Sequence, residues 1–199
     1  MAQKESNLRN MVFSLTLIVL VASAALAGVY VITKPSIDGQ EVAKTQEAIK
    51  AVLPGFSGKT ERVAIKLPND ADSVFVNLAY QDGELFGGAV QTYTDKAFKS
   101  YFSLMVGFDA GGNILETEVI KMEETPGLGD KINKSKSNFS DQFVKMCPAN
   151  NEFNLKVKKD GGTVDAITAA TISSRAYCDA VNRAAKAFDI VTKKGANNE

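Results

Sequence analysis

The residues best suited to chemistry lie in one short run, Asp165-Ala166-Ile167-Thr168-Ala169-Ala170-Thr171-Ile172-Ser173-Ser174. Thr168, Ala169 and Ala170 are small enough for the backbone to approach a bound group, and Thr171, Ser173 and Ser174 carry hydroxyls. An amphipathic pattern follows at once from Arg175, so this run opens a helix. A helix start presents unpaired N–H groups and a partial positive charge, which favour a phosphate. The same residues also suit an ordinary N-cap, in which Ser173 or Ser174 accepts a bond from the first turn and nothing is bound. Spacing alone leaves both readings open.

A second stretch, Met122-Glu123-Glu124-Thr125-Pro126-Gly127-Leu128-Gly129-Asp130, reads as a loop held by proline and two glycines. Pro-Gly by itself marks a tight turn. Leu128 is the unusual member: an apolar side chain between two glycines either anchors the loop in the core or meets an apolar ligand face.

What the chain lacks narrows the chemistry further. It has no histidine, which removes histidine-based catalysis and most zinc sites. Lys+Arg and Asp+Glu are both 23 in 199 residues, and no basic stripe is present, so nucleic acid is a poor partner. The two cysteines, Cys147 and Cys178, have 30 residues between them, a spacing compatible with a disulfide or with two small buried apolar residues.

The elements that must position these stretches follow from periodicity. Met11 to Ile32 carries no charge and is long enough to cross a bilayer as a helix. Lys4 and Arg9 precede it, placing 1–10 in the cytoplasm and the chain after Lys34 outside. A cleaved secretory signal is the rival reading, since Ala25-Leu26-Ala27 resembles a cleavage site, but the apolar run continues through Ile32. Pro35 is expected to break this helix, and Ser36 to Leu53 to form a connecting helix within 33–58. The domain proper is expected at 59–199. Period-two patterns at Val63 to Ile65, Ser73 to Tyr80, Leu85 to Tyr93, Tyr101 to Phe108 and Ile114 to Lys121 predict strands. Turn signals at Pro68-Asn69-Asp70, Asp82-Gly83 and Ala110-Gly111-Gly112 separate them, so the sheet should be antiparallel. Gly87-Gly88 suggests a bulge. Asp130 to Met146 reads as partly helical, Phe153 to Lys158 as a strand, and the stripe from Tyr177 to Val191 as a closing helix. The fold class is α+β: an antiparallel sheet flanked by helices, preceded by one transmembrane helix.

The order Asp165, Thr168, Ala169, Ala170, Thr171, Ser173, Ser174 resembles the flavinylation motif of the FMN-binding domain family, written D-x-x-[ST]-G-A-T-x-[ST]-[ST]. The Glu124-Thr125-Pro126-Gly127-Leu128-Gly129 loop resembles the one that packs against the flavin in membrane-bound members. Those members are the G subunits of Rnf electron-transport complexes and the longer C subunits of sodium-translocating NADH:quinone reductases; in length the chain is more similar to the former. The resemblance implies FMN joined through a phosphodiester to Thr171, with Thr168, Ala169, Ala170, Ile172 and Ser173 beside it and Leu128 against the ring. It also implies polar contacts from Glu124 and Thr125; Lys121 and Arg175 are read as candidate cations near the ring or as solvated surface charges. By the same resemblance the flavin relays electrons among other subunits of a complex in the bacterial cytoplasmic membrane. Attachment would be made by an FAD-dependent, magnesium-requiring flavin transferase on the extracytoplasmic side. Ala169 departs from the motif's glycine, and its methyl group is tolerable if the backbone φ there is negative. A ligand-binding adaptor without redox activity and a stand-alone flavin reductase are the alternatives from other classes.

Overall fold

The computed structural model describes residues 7–68, 73–99, 101–148 and 155–196. Two compact units divide the chain, Met1–Lys44 and Thr45–Glu199. Helix α1, Leu8–Val52, is continuous. Its apolar portion is long and apolar enough to cross a membrane, with none of that window buried inside the protein. Pro35 does not break it, contrary to the sequence expectation. Proline removes one N–H donor from the ladder and crowds the preceding turn. Both flanks are helix-forming, however, and the helix runs through Pro35 without interruption.

The sheet of the second unit is a meander in which each strand lies beside the next in sequence. Strands β1 (Lys59–Lys66), β2 (Ser73–Gln81), β3 (Glu84–Thr94), β4 (Phe102–Asp109) and β5 (Ile114–Lys121) pair antiparallel in the order β1-β2-β3-β4-β5. The β2–β3 hairpin turns on Asp82 and Gly83, with φ of 54° and 87°. Two positive φ values match the right-handed twist of the strands they join. Pairing passes from Ala79–Gly87 to Tyr80–Leu85, so Phe86 is an extra residue and the expected bulge is present.

Alternation along the strands separates two cores. Leu104, Val106 and Phe108 of β4 face helix α2 (Thr171–Ala196), which lays Tyr177, Val181, Ala184 and Phe188 across them. Phe108 and Phe188 stack with centroids 5.0 Å apart. Met105 faces the other side with Ala79 and Ala89, where Ala48, Ile49, Val52 and Leu53 cover them. The sheet is therefore covered on both faces, and the α+β expectation holds.

Two segments refine or depart from the sequence reading. Residues 130–146 contain two 3-10 turns, Gly129–Ile132 and Phe139–Phe143, in place of an α-helix. Asn133 Oδ1 accepts from the Ser135 N–H at 2.9 Å and Ser137 Oγ from the Phe139 N–H at 3.1 Å. Such local side-chain bonds compete with the helical ladder. Leu155 to Lys158 is not a strand, and only an isolated bridge, Val157 to Val164, forms there. The first part of that expected strand, with Asn69 and Asp70 of the expected turn, lies outside the described residues. Cys147 and Cys178 are both buried and unpaired. Burial pushes the Cys178 thiol up to about 12, so it stays protonated at neutral pH.

Candidate flavin-binding site

The loop after β5 is a tight turn with its own chemistry. Pro126 and Gly127 occupy its two central positions, and Gly127 has φ 77°. The Leu128 N–H donates back to the Thr125 carbonyl at 3.2 Å and the Asp130 N–H to the same oxygen at 3.3 Å. Proline fixes φ at the first central position and glycine takes the positive φ of the second, as a type II turn requires. The consequence is that Leu128 is turned outward, 40% exposed.

Glu124, just ahead of this turn, goes the other way. It is 8% exposed, and both its oxygens accept bonds from distant parts of the chain. Oε1 takes the Phe98 N–H at 3.1 Å, and Oε2 takes the hydroxyl of Ser173, itself buried, at 3.0 Å. Gly129 closes against this pair, since a Cβ there would stand 2.3 Å from Glu124 Oε2 and 2.7 Å from Ser173 Oγ. Three segments are thus fastened at one point: the bend carrying Phe98, the loop, and the start of α2.

The motif segment is organised by its last serine. Ser174 Oγ accepts the Ile167 N–H at 3.0 Å and donates to the Ala170 carbonyl at 3.0 Å. The Ala170 N–H in turn reaches the Ile167 carbonyl. The first bond of α2 runs from the Ser174 N–H to the Ala170 carbonyl, so the N–H groups of Thr171, Ile172 and Ser173 project from the helix end. Ala169 has φ 63°, so the condition of a negative φ is not met. A methyl group in this left-handed region costs about 1–2 kcal/mol. Glycine would lose about 0.5–1 kcal/mol more backbone entropy on folding. Ala169→Gly should therefore stabilise the protein by about 0.5–1 kcal/mol, read as a higher denaturant midpoint at unchanged slope.

These segments enclose a half-open cavity of about 260 Å³. Of the residues expected at the site, Glu124, Thr125, Leu128, Gly129, Ala169, Ala170, Thr171, Ile172 and Ser173 line it. Phe98 joins them, and no local sequence pattern marks it. Pro126 and Gly127 shape the turn from outside the lining, and Thr168 and Ser174 likewise stand off it. Asp165 does too: its carboxylate pairs with Lys158 at 2.7 Å, while its backbone N–H donates to Gln142 Oε1 at 2.8 Å. The candidate cations also lie off the lining. Arg175 is bound by two bonds of 2.7 Å to Asp160, which holds that carboxyl below its usual range, and Lys121 stands over the Tyr101 ring.

The cavity joins apolar and polar linings. Its rim is apolar, its floor is polar but internally satisfied, and a hydroxyl stands at a helix start beside it. A family model described as the FMN-binding domain matches residues 98–186, a span containing the loop, the Glu124–Ser173 pair and the motif. Relatives agree over a greater length. The G subunit of the ion-translocating oxidoreductase complex of Haemophilus influenzae (strain PittEE) is 35% identical over 176 residues, 84% of each chain. The G subunits of the complexes so named in Vibrio cholerae (strain M66-2) and Shewanella baltica (strain OS223) are 33% and 32% identical, over 82% and 89% of this chain and 82% and 87% of their own. The chain belongs to the FMN-binding domain family. Gly129 leaves room for the bond between Glu124 and Ser173, and the N–H groups at the start of α2 form the kind of helix end that favours an anion.

Proposed function

We propose that the chain is the covalent-FMN carrier of a membrane-bound, ion-translocating ferredoxin:NAD⁺ oxidoreductase complex of the Rnf type, with Thr171 as the attachment residue. The observation that carries the reading is the position of Thr171: it lies at the first residue of α2 and at the wall of a cavity whose other walls are Phe98, Leu128 and Ile172. A phosphate esterified to it meets helix N–H groups, and the ring it carries meets apolar side chains. The similarity to members of ion-translocating oxidoreductase complexes supports the wider assignment.

Bound FMN supplies reversible one- and two-electron chemistry, and the chain supplies position and surroundings. Thr171 tethers, the helix end balances phosphate charge, and Leu128 and Ile172 keep water from the ring. Among the described residues, the cavity lining contains no histidine, lysine, arginine or cysteine, so none of these is placed to move a proton to a diffusible substrate. This arrangement suits a relay between cofactors of neighbouring subunits.

Attachment needs an enzyme of its own, because a threonine hydroxyl has a high pKa and the chain has no histidine to activate it. The balanced step forms a bond from Thr171 Oγ1 to the FMN phosphorus of FAD and breaks the pyrophosphate bond. AMP leaves, and the hydroxyl proton passes to the transferase. In this reading α1 anchors the protein in the cytoplasmic membrane, and the domain and its magnesium-requiring transferase meet on the outer side. Intact-mass spectrometry of denatured full-length protein, co-expressed with an active transferase, tests the proposal. The expected result is an added mass of FMN less water on the peptide containing Thr171. An unmodified chain, made beside a control substrate that is modified, would return Thr171 to the role of a helix-start residue.

A further inference from the structure

We propose that Phe98 forms a wall of the ring slot and that Glu124 is the positioning residue that holds it there through the Phe98 backbone. The inference rests on the assignment of FMN to Thr171. It begins from exposure. Among the described residues outside α1, the exposed large apolar side chains are Tyr80, Phe98, Tyr101, Leu128 and Ile172. Apolar residues scattered singly over a surface are ordinary. Three of these, however, come from three separate segments and border one cavity. Phe98 is the most exposed of them, at 64%. An aromatic ring left in water at the edge of a cavity lined by Leu128 and Ile172 has an unfilled apolar contact, and a planar ring fills it best.

Phe98 lies in no regular element, so something else must fix it. Residues 95–99 are a series of bends after β3. One end is tied to α2 by Asp179, which accepts from Thr94 Oγ1 at 3.1 Å and pairs with Lys96 Nζ at 2.6 Å. The other end is tied by the Phe98 N–H to Glu124, and Glu124 in turn to Ser173. Burying a carboxylate is costly unless donors satisfy it. Here the two donors are the backbone of the wall residue and a side chain two positions after Thr171, so the carboxylate sets the distance between wall and tether. Glu124 therefore acts through Phe98 and Ser173.

The test uses full-length protein co-expressed with the transferase, with FMN content read by mass and ring surroundings read by flavin fluorescence and visible circular dichroism. Iodide quenches flavin emission on collision, so a wall over the ring shields it. Phe98→Ala should retain the FMN mass while quenching by added iodide rises severalfold and visible dichroism falls, and Phe98→Leu, which keeps an apolar wall, should stay near wild-type values. Glu124→Ala should give the same rise, with no further rise in the Phe98→Ala/Glu124→Ala double variant, because both act on one contact. Glu124→Gln retains an acceptor for the Phe98 N–H and can donate to Ser173 Oγ, so it should restore most of the protection from iodide. Flavinylated Phe98→Ala with wild-type iodide quenching and dichroism would overturn the wall. Wild-type values in Glu124→Ala, or additive effects in the double variant, would overturn the positioning. Wild-type protein without FMN mass would refute instead the attachment reading on which both stand.

Discussion

Thr171→Ala, produced beside an active transferase, should emerge colourless and unmodified while keeping its fold. In the proposed attachment the tether is one oxygen atom, so removing it should abolish covalent flavin completely. The cost to folding is small by comparison. Thr171 is only half-buried at the first position of α2, where alanine is an equal or better helix former, and the bonds that order the segment belong to Ser174 and Ala170. Stability relative to unmodified wild type should change by no more than about 0.5 kcal/mol. Mass spectrometry and urea denaturation of the same sample check both halves. Thr171→Ala protein that still carries stoichiometric FMN after denaturation would refute the attachment site.

The second large effect belongs to Tyr177, further along the same helix. Its side chain is fully buried, with the Phe139 ring edge-on at 5.3 Å, the Phe143 ring at 5.0 Å and the Phe102 ring at 6.2 Å. Its hydroxyl donates to Thr117 Oγ1 at 2.8 Å, which joins α2 to β5. Burial raises its pKa well above the usual tyrosine value, so the hydroxyl remains a donor at any physiological pH. Tyr177→Ala empties the junction of α2, β4, β5 and the 139–143 turn, and should cost about 3–5 kcal/mol. That is a large fraction of the roughly 5–15 kcal/mol that a domain has. Tyr177→Phe keeps the packing and leaves only the Thr117 hydroxyl unpaired, for about 1–2 kcal/mol. Denaturant titration of the detergent-solubilised full chain should rank the two variants in that order. Equal losses would mean that the hydrogen bond, not the aromatic packing, holds the junction.

The parts legible in the sequence are those whose information is local. β5 is readable as Ile114 to Lys121 because alternation and flanking turns are properties of adjacent residues. The Asp82-Gly83 hairpin is readable because two positive φ values leave few residue choices. Thr171 and the 124–129 loop are marked by the order of their residues. Phe98 is not readable, because what makes it part of the site is a carboxylate 26 residues away, itself bonded to a serine a further 49 along. Glu124 reads from the sequence as a polar contact to the flavin, whereas both its oxygens are engaged by the protein. Pro35 misleads in the opposite sense: a strong local signal for a break gives way to helix-forming sequence on both sides.

The meander also sets a timetable for the making of the protein. Each hairpin joins neighbours in sequence, so the sheet can assemble progressively as the chain emerges. Helix α2, which follows every strand in sequence, must then lie back across β2, β3 and β4. Until it does, Ser173 has not reached Glu124 and Thr171 faces no cavity. A transferase that recognises the assembled pocket would modify only chains in which α2 has docked. Flavin content would then be a record of completed folding, and chains shortened within α2, which leave one face of the sheet uncovered, should stay unmodified.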